Sequence, residues 1–298
     1  MTRSPRILVA YKKSTYEQLV LDDGDATISE LLDRNHLSVR NLEHSHDAHR
    51  RSLDELVDHL DETGHNYDLV YRGDIDETDD YDLVVTVGGD GTVLDVSHRL
   101  DETPILSINS DPDTSVGYFS AGTALDFPRI LDAIVSDRWH PVELRRFFVE
   151  IDGERQGPPV LNDILISHRN PAAVSAYFLK VGSHPAEEHR SSGVWIATPA
   201  GSTAAIRSAG GLVLPFDSDN YQYLVREPFR PREGAYRFLK GIHPMETDIE
   251  IISRMRDGEV FVDGPHLTFD FPIGTSLAID PDAPPLAIYG LKEERRTA

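Results

Sequence analysis

The chain has 298 residues, an apolar fraction of 39% and a formal charge of −22, from 29 Lys and Arg against 51 Asp and Glu. That length suits one large domain or two ordinary ones with a real core, and the charge excludes nucleic acid or an anionic membrane as main partner. No apolar run is long enough for a membrane span, and the absence of cysteine excludes disulfides, thiolate metal sites and a cysteine nucleophile.

The sequence enters a strand-like stretch within its first residues and shows no signal-peptide pattern, so a reducing cytoplasm is the expected location. Lysine is scarce (Lys12, Lys13, Lys180, Lys240 and Lys292) beside abundant Asp and Glu. This balance is that of a protein surface screened by concentrated salt, or merely of an acidic soluble protein.

Arg6 to Tyr11, RILVAY, reads as a buried strand. Lys12, Ser14 and Thr15 follow at its C-terminal end, where open α/β sheets place ligands, in a loop that a Ser or Thr cap would equally explain. Ser52 to Thr63 shows Leu53, Leu56, Val57 and Leu60 at helical spacing, with Ser52 and Glu55 forming a capping box. Tyr67 to Tyr71 is a second strand, Asp74 to Asp82 an acidic solvated loop.

Leu83 to Val87 is a β-branched run ending in Gly88-Gly89-Asp90-Gly91-Thr92, before a helix-compatible segment. A strand, a glycine turn and a helix N-terminus form a phosphate cradle, because the backbone approaches closely and the first N–H groups face the anion. A carboxylate repels phosphate there unless it meets a divalent cation or takes a proton from an attacking hydroxyl. Asp90 therefore points to phosphoryl transfer; a β-turn is the plain alternative. Thr103 to Asn109 is the next strand. The alternation of strand and helix predicts a doubly wound parallel sheet.

Beyond Leu125 one helix, Phe127 to Asp137, leads into short alternating runs: Phe147–Ile151, Val160–Ser167, Ala176–Val181, Val194–Thr198, Ile249–Ile252 and Val260–Val262. They predict a mostly antiparallel β domain. Ser276–Ile279 and Leu286–Tyr289 are expected to rejoin the first domain, and 293–298 to fray. The expected division is residues 1–124 with 276–298 for the α/β domain, and 125–275 for the β-rich one.

Three constellations lie in the second half. Asn162-Asp163 opens an apolar strand; an amide beside a carboxylate can read ribose hydroxyls or an adenine edge, although an Asx turn accounts for the pair as well. Thr198-Pro199-Ala200-Gly201-Ser202-Thr203 joins a strand to a helix start and offers a second anion- or nucleotide-binding element. Phe261-Val262-Asp263-Gly264-Pro265-His266 reads as a β-turn of low functional weight.

GGDGT, then Asn-Asp opening a strand, then TPAGSTA, in this order, resembles the NAD kinase family, whose signatures are GGDGT, an Asn-Glu pair and TPTGSTAY. The resemblance spans roughly residues 5 to 290. Three departures, Ser107-Ile108-Asn109-Ser110-Asp111-Pro112 in place of the usual G-I-N-x-G segment, Ser192 in place of an Asp and Ala205 in place of a Tyr, are similar to the divergent branch that includes mitochondrial-type NAD kinases. Losing the Tyr bears on a stacking contact, and losing the Asp on a nicotinamide-side or ribose-side one.

The resemblance implies ATP-dependent phosphorylation of the 2′-hydroxyl of the adenosine ribose of NAD, giving NADP. Asp90 would accept the hydroxyl proton or hold the hydroxyl in line, and Asp90→Asn would cut turnover while leaving folding nearly intact. Gly88, Gly89, Gly91 and Thr92 would hold phosphates together with Lys12. Asn162 and Asp163 would read the adenosine half; Thr198, Ala200, Ser202 and Thr203 would line the same pocket; Asn109 would close it from a strand end. Mg²⁺ or another divalent cation would accompany ATP, held by phosphates rather than by a protein cage. A dimer or tetramer of identical chains is expected. Two rival readings are a GGDGT kinase acting on a lipid or sugar hydroxyl and a non-catalytic NAD(P)-binding protein. The acidic surface and the TPAGST element argue against a lipid.

Overall fold

The computed structural model describes residues 5–230, 234–292 and 296. The chain forms two compact units, one comprising residues 1–142 and 287–295, the other 143–286 and 296–298.

In the first unit, β1 (Arg6–Tyr11) leads through α1 (Ala26–Asp33) to α2 (Leu42–Thr63), β2 (Asn66–Tyr71), β3 (Leu83–Gly88), α3 (Asp90–Ser97), β4 (Ile105–Asn109) and α4 (Phe127–Val135), after which the short strand β5 (Val142–Leu144) carries the chain on to the second. The strands are parallel, in the order β2-β1-β3-β4, with Leu286–Tyr289 beside β4. β3 is buried at every position, as an unbroken β-branched run between two helical layers should be.

The α2 helix begins ten residues before the expected Ser52. His49, Leu53, Leu56 and Leu60 form its buried stripe, each leucine contributing roughly 1.5–3 kcal/mol by leaving water. Ser52 is therefore not a cap: from inside the helix its hydroxyl donates to the Ser110 carbonyl at 3.0 Å. The helix ends on Gly64 at φ 68°, a left-handed cap that glycine adopts without strain. In α1 the Asp25 side chain accepts from the Thr27 and Ile28 N–H groups. The acidic loop after β2 is pinned by buried Ile75 and Thr78 rather than being solvated throughout.

The α4 helix ends at Val135, and its Phe127, Ile130 and Leu131 belong to the core of this parallel sheet. The segment after residue 125 thus completes the first unit instead of opening the second.

The second unit holds β6 (Phe147–Ile151), β7 (Glu154–Val160), β8 (Asp163–His168), β9 (Ser175–Val181), β10 (Glu187–Ser191), β11 (Val194–Ala197), β12 (Asn220–Val225), β13 (Lys240–Pro244), β14 (Ile249–Ser253), β15 (Gly258–Val262), β16 (Leu267–Asp270) and β17 (Ser276–Asp280). They form two six-stranded sheets, β10-β9-β14-β17-β6-β7 and β13-β12-β11-β8-β15-β16, paired antiparallel. Inward residues including Phe147, Ile164, Ile166, Tyr177, Ile196 and Val260 make one apolar core. The expected single strand over Val160–Ser167 is two: Val160 ends β7, and Leu161-Asn162 turn the chain into β8. Ser276–Asp280, expected in the first domain, instead pairs with β6 and β14. The predicted α/β-plus-β architecture is the one observed.

Candidate functional site

In the first unit the C-terminal ends of parallel strands gather the residues singled out from sequence. β3 ends at Gly88, Gly89 caps α3 from an extended conformation, and Asp90 is its first residue. A Cβ on Gly88 would lie 2.2 Å from the Thr92 hydroxyl, so glycine is required there by packing. Thr92 is buried and its hydroxyl has no partner among the described residues. Nothing lies within 4 Å of where a Cβ on Gly91 would sit. That absence leaves open space at the first turn of α3, whose leading N–H groups have no intrahelical acceptor.

Asp90 is held rigidly. Its two carboxylate oxygens accept the Tyr118 N–H at 3.1 Å and the Phe119 N–H at 2.9 Å. Asn109 builds the loop that supplies them: its amide donates to the Ser115 carbonyl at 2.9 Å and its oxygen accepts the Asp111 N–H at 3.2 Å. Asn109 is buried, with both ends of its amide engaged by its own loop. It therefore positions Asp90 through residues 115–119 rather than closing the site with its own side chain.

Two cations flank this loop. Lys12 follows β1; burial lowers its ammonium below the ordinary lysine range, the nearby Arg72 charge adds to that, and Asp111 opposes it. Arg72 follows β2 and donates to the Gly91 carbonyl at 3.2 Å while pairing with Asp95 at 3.3 Å. Arg72 was missed in the sequence, although an arginine ending a strand adjacent and parallel to β1 was legible as facing the same end of the sheet. Lys13 turns aside to Asp22. His49 bridges the strand ends: its Nε2 meets the Lys12 carbonyl at 2.7 Å and its Nδ1 the Ser110 hydroxyl at 2.9 Å. Since a carbonyl only accepts, Nε2 carries the proton and Nδ1 accepts from Ser110. Burial, then the Lys12 charge, brings this imidazole down to about 4, so it is neutral.

The second unit gathers the remaining residues around Asn162. The Asp263 carboxylate accepts three successive N–H groups, from Leu161 at 2.9 Å, Asn162 at 2.6 Å and Asp163 at 3.0 Å. Asp263 itself sits at φ 50°, ahead of Gly264 at φ 119°. The turn dismissed in the sequence is thus the clamp on the Asn-Asp pair. Asp163 is buried, and desolvation followed by the Asp263 charge pushes its carboxyl up to about 8. The Asn162 Oδ1 and Asp163 Oδ2 atoms are buried without a hydrogen-bond partner among the described residues. Hydroxyl or amino groups of a ligand would satisfy two such acceptors.

The TPAGST segment folds against the same pair. The Thr198 N–H donates to the Asn162 carbonyl at 2.9 Å and the Thr198 hydroxyl to the Leu161 carbonyl at 2.5 Å. Ser202 donates to the Pro199 carbonyl at 2.7 Å and accepts the Leu214 N–H at 2.9 Å. Thr198, Ala200 and Ser202 are buried and Thr203 half-buried. The Thr198 and Ser202 hydroxyls therefore knit the turn together instead of presenting themselves as ligand contacts. Ala200–Thr203 is a 3₁₀ turn and the α-helix after it spans only Ala205–Ser208, too short to supply the helix N-terminus expected there. Among the described residues no group of three metal-ligating side chains occurs, and no helix is long and apolar enough to cross a membrane.

Residues 10–139 match the family model of the ATP-NAD kinase N-terminal domain. A probable NADH kinase of Oryza sativa is 40% identical over 230 residues, covering 70% of this chain and 71% of its own length. An NADH kinase of Arabidopsis thaliana is 32% identical over 241 residues, 70% of this chain and 73% of that one. An NAD kinase of Thermococcus kodakarensis is 28% identical over 210 residues, covering 68% and 73%. In fold, the chain is similar to an Archaeoglobus fulgidus NAD kinase solved with ATP (TM-score 0.68, 23% identity, 98% and 95% of the two chains). It is likewise similar to yeast NADH kinase solved with NADH (TM-score 0.73, 17% identity, 99% and 86%).

Proposed function

The chain belongs to the NAD kinase family and is an enzyme that phosphorylates NAD with ATP; from that premise we propose that its two groups of site residues divide the substrates between them. The first-unit group takes the triphosphate. The open space at Gly91 admits a phosphate, the leading N–H groups of α3 bind it, and Lys12 and Arg72 balance its charge. The second-unit group reads the adenosine half of the dinucleotide through Asn162 and Asp163. Thr198, Ala200, Gly201 and Ser202 set their backbone, and Thr203 lies at the turn's more open side.

Asp90 takes the proton of the ribose 2′-hydroxyl as that oxygen attacks the terminal phosphorus, giving NADP. The observation that carries this role is the pair of backbone N–H groups on its two oxygens. They fix the carboxylate in one orientation, while each oxygen keeps a lone pair for the incoming proton. A divalent cation fits this arrangement as a companion of the phosphates, with Asp90 as the carboxylate at the loop, and when bound it would neutralise developing charge.

Two kinases of plants that this chain resembles are named for NADH, and we extend the proposal to the reduced dinucleotide as a second acceptor. We also propose a cytoplasmic, salt-adapted homo-oligomer, on the acidic composition, the absence of cysteine and the family's habit of self-association.

The test is NADP and NADPH formation by the purified chain given NAD or NADH, ATP and Mg²⁺, at low and high KCl, with Asp90→Asn alongside. Product from the wild type and a loss of about a hundredfold in the variant support the assignment. Near-normal turnover in Asp90→Asn would remove the residue from that role. A folded wild type that binds NAD and yields no product with any phosphate donor would favour the binding-protein reading.

A further inference from the structure

Arg296 is 2% exposed. Its Nη2 reaches three acceptors of the TPAGST region: the Pro199 carbonyl at 2.5 Å, the Ser202 hydroxyl at 2.7 Å and the Leu214 carbonyl at 2.5 Å. The guanidinium carbon lies 3.8 Å from the centre of the Phe216 ring. Bringing a guanidinium out of water is costly unless its donors are met; here oxygens meet one nitrogen and an aromatic face covers the plane. The expected frayed end over 293–298 falls outside the described residues apart from this one, and this one is buried.

We propose that Arg296 is a positioning residue for the dinucleotide, acting through the TPAGST turn on Asn162 and Asp163. The path is short and continuous. Ser202 Oγ donates to the Pro199 carbonyl and accepts from Leu214 and Arg296, so its capacity of one donor and two acceptors is full. The turn it closes carries Thr198, whose N–H holds the Asn162 carbonyl, and Gly201, whose backbone lies against that carbonyl. A shift of the turn is therefore a shift of the pair. Displacements of about an ångström at such supports cost up to a hundredfold in rate. The proposal rests on reading this turn as part of the dinucleotide-binding half.

The experiment uses the full chain with Arg296→Ala and Arg296→Lys, and reads NAD and ATP binding separately by titration calorimetry. Arg296→Ala is expected to weaken NAD about tenfold, an effect sized as a partial loss of positioning, and to leave ATP affinity unchanged. Added methylguanidinium should recover part of the lost NAD affinity. Arg296→Lys keeps the charge without the planar fork and should fall between. Unchanged NAD affinity in Arg296→Ala overturns the proposal, as does equal loss of both affinities without recovery by methylguanidinium. Should Arg296→Ala fail to fold, Arg296→Lys and Ser202→Ala decide. Non-additive losses of NAD affinity in the double variant support the coupling, and full additivity overturns it. A wild type that binds NAD yet forms no NADP defeats the kinase reading and leaves this measurement intact.

Discussion

Gly201 and Asn162 approach so closely that a Cβ on Gly201 would stand 1.9 Å from the Asn162 carbonyl oxygen. The obstacle is backbone, which cannot rotate away. The glycine of the TPAGST segment is thus required by the strand opening beside it, not by a ligand. Gly201→Ala must push Asn162 and Asp163 out of place. The expected result is a loss of NAD affinity of tenfold or more, on the scale at which small misplacements act, with ATP affinity retained. Calorimetric titration of the two substrates checks it.

Gly91 makes the opposite case. A methyl there meets no protein atom, and alanine in a helix is favoured over glycine by roughly 0.5–1 kcal/mol. Gly91→Ala should therefore melt at the same temperature or slightly higher while its KM for ATP rises severalfold. Gly88→Ala should melt lower, because its methyl collides with Thr92. Thermal denaturation of the two variants, with ATP kinetics on the first, separates a glycine kept for a ligand from one kept for packing.

Asp90→Asn is a less silent substitution than the sequence alone implied. The carboxylate serves two N–H donors, and an amide has one oxygen to offer. One donor must then face an NH₂ group, which costs about 1–3 kcal/mol. A fall of a few degrees in melting temperature should accompany the loss of turnover. NAD affinity should stay at the wild-type level, and a chain that loses it would assign Asp90 to binding instead.

His49 and Asp163 give stability opposite dependences on pH. The His49 imidazole titrates at about 4 in the folded chain, below its ordinary range. Between pH 6.5 and 4 the unfolded state binds the extra proton, so acidification through that window weakens the fold. Asp163 titrates at about 8 when folded, well above an ordinary carboxyl. Between pH 4 and 8 the folded state binds the extra proton, so stability from this group falls as pH rises. Denaturant titrations across pH 4–8 should show Asp163→Asn gaining most over wild type near pH 8, with the gain shrinking toward pH 4.

The parallel sheet was legible because β1, β3 and β4 are short, mostly apolar runs, and the three motifs because each interrupts or ends such a run with glycine or an amide. The capping box at Ser52 misled because α2 continues through polar residues, whose helical periodicity shows only in the buried stripe from His49 onward. β10 and β13 carry Glu187, Glu188, Arg190, Lys240 and His243, too polar to announce strands. Asp263 and Arg296 escaped for a different cause. Each acts on a segment distant in the chain, and spacing within a motif holds no trace of such a partner. Asn109 was found and misread: its position marked the right strand end, but its amide serves its own loop.

The lengths of chain enclosed by these contacts also fix an order of assembly. Phe119 reaches Asp90 across 29 residues, whereas Asp263 reaches Asn162 across 101 and Arg296 reaches Pro199 across 97. Closing the longer loops costs about 1 kcal/mol more in chain entropy, and contacts between such distant segments form late. During synthesis the asymmetry is greater. At about 5–20 residues per second, roughly seven to thirty seconds pass between the emergence of Phe119 and that of Asp263. For that interval every residue of the grip on Asp90 has been made, whereas the carboxylate that clamps Asn162 and Asp163 has not.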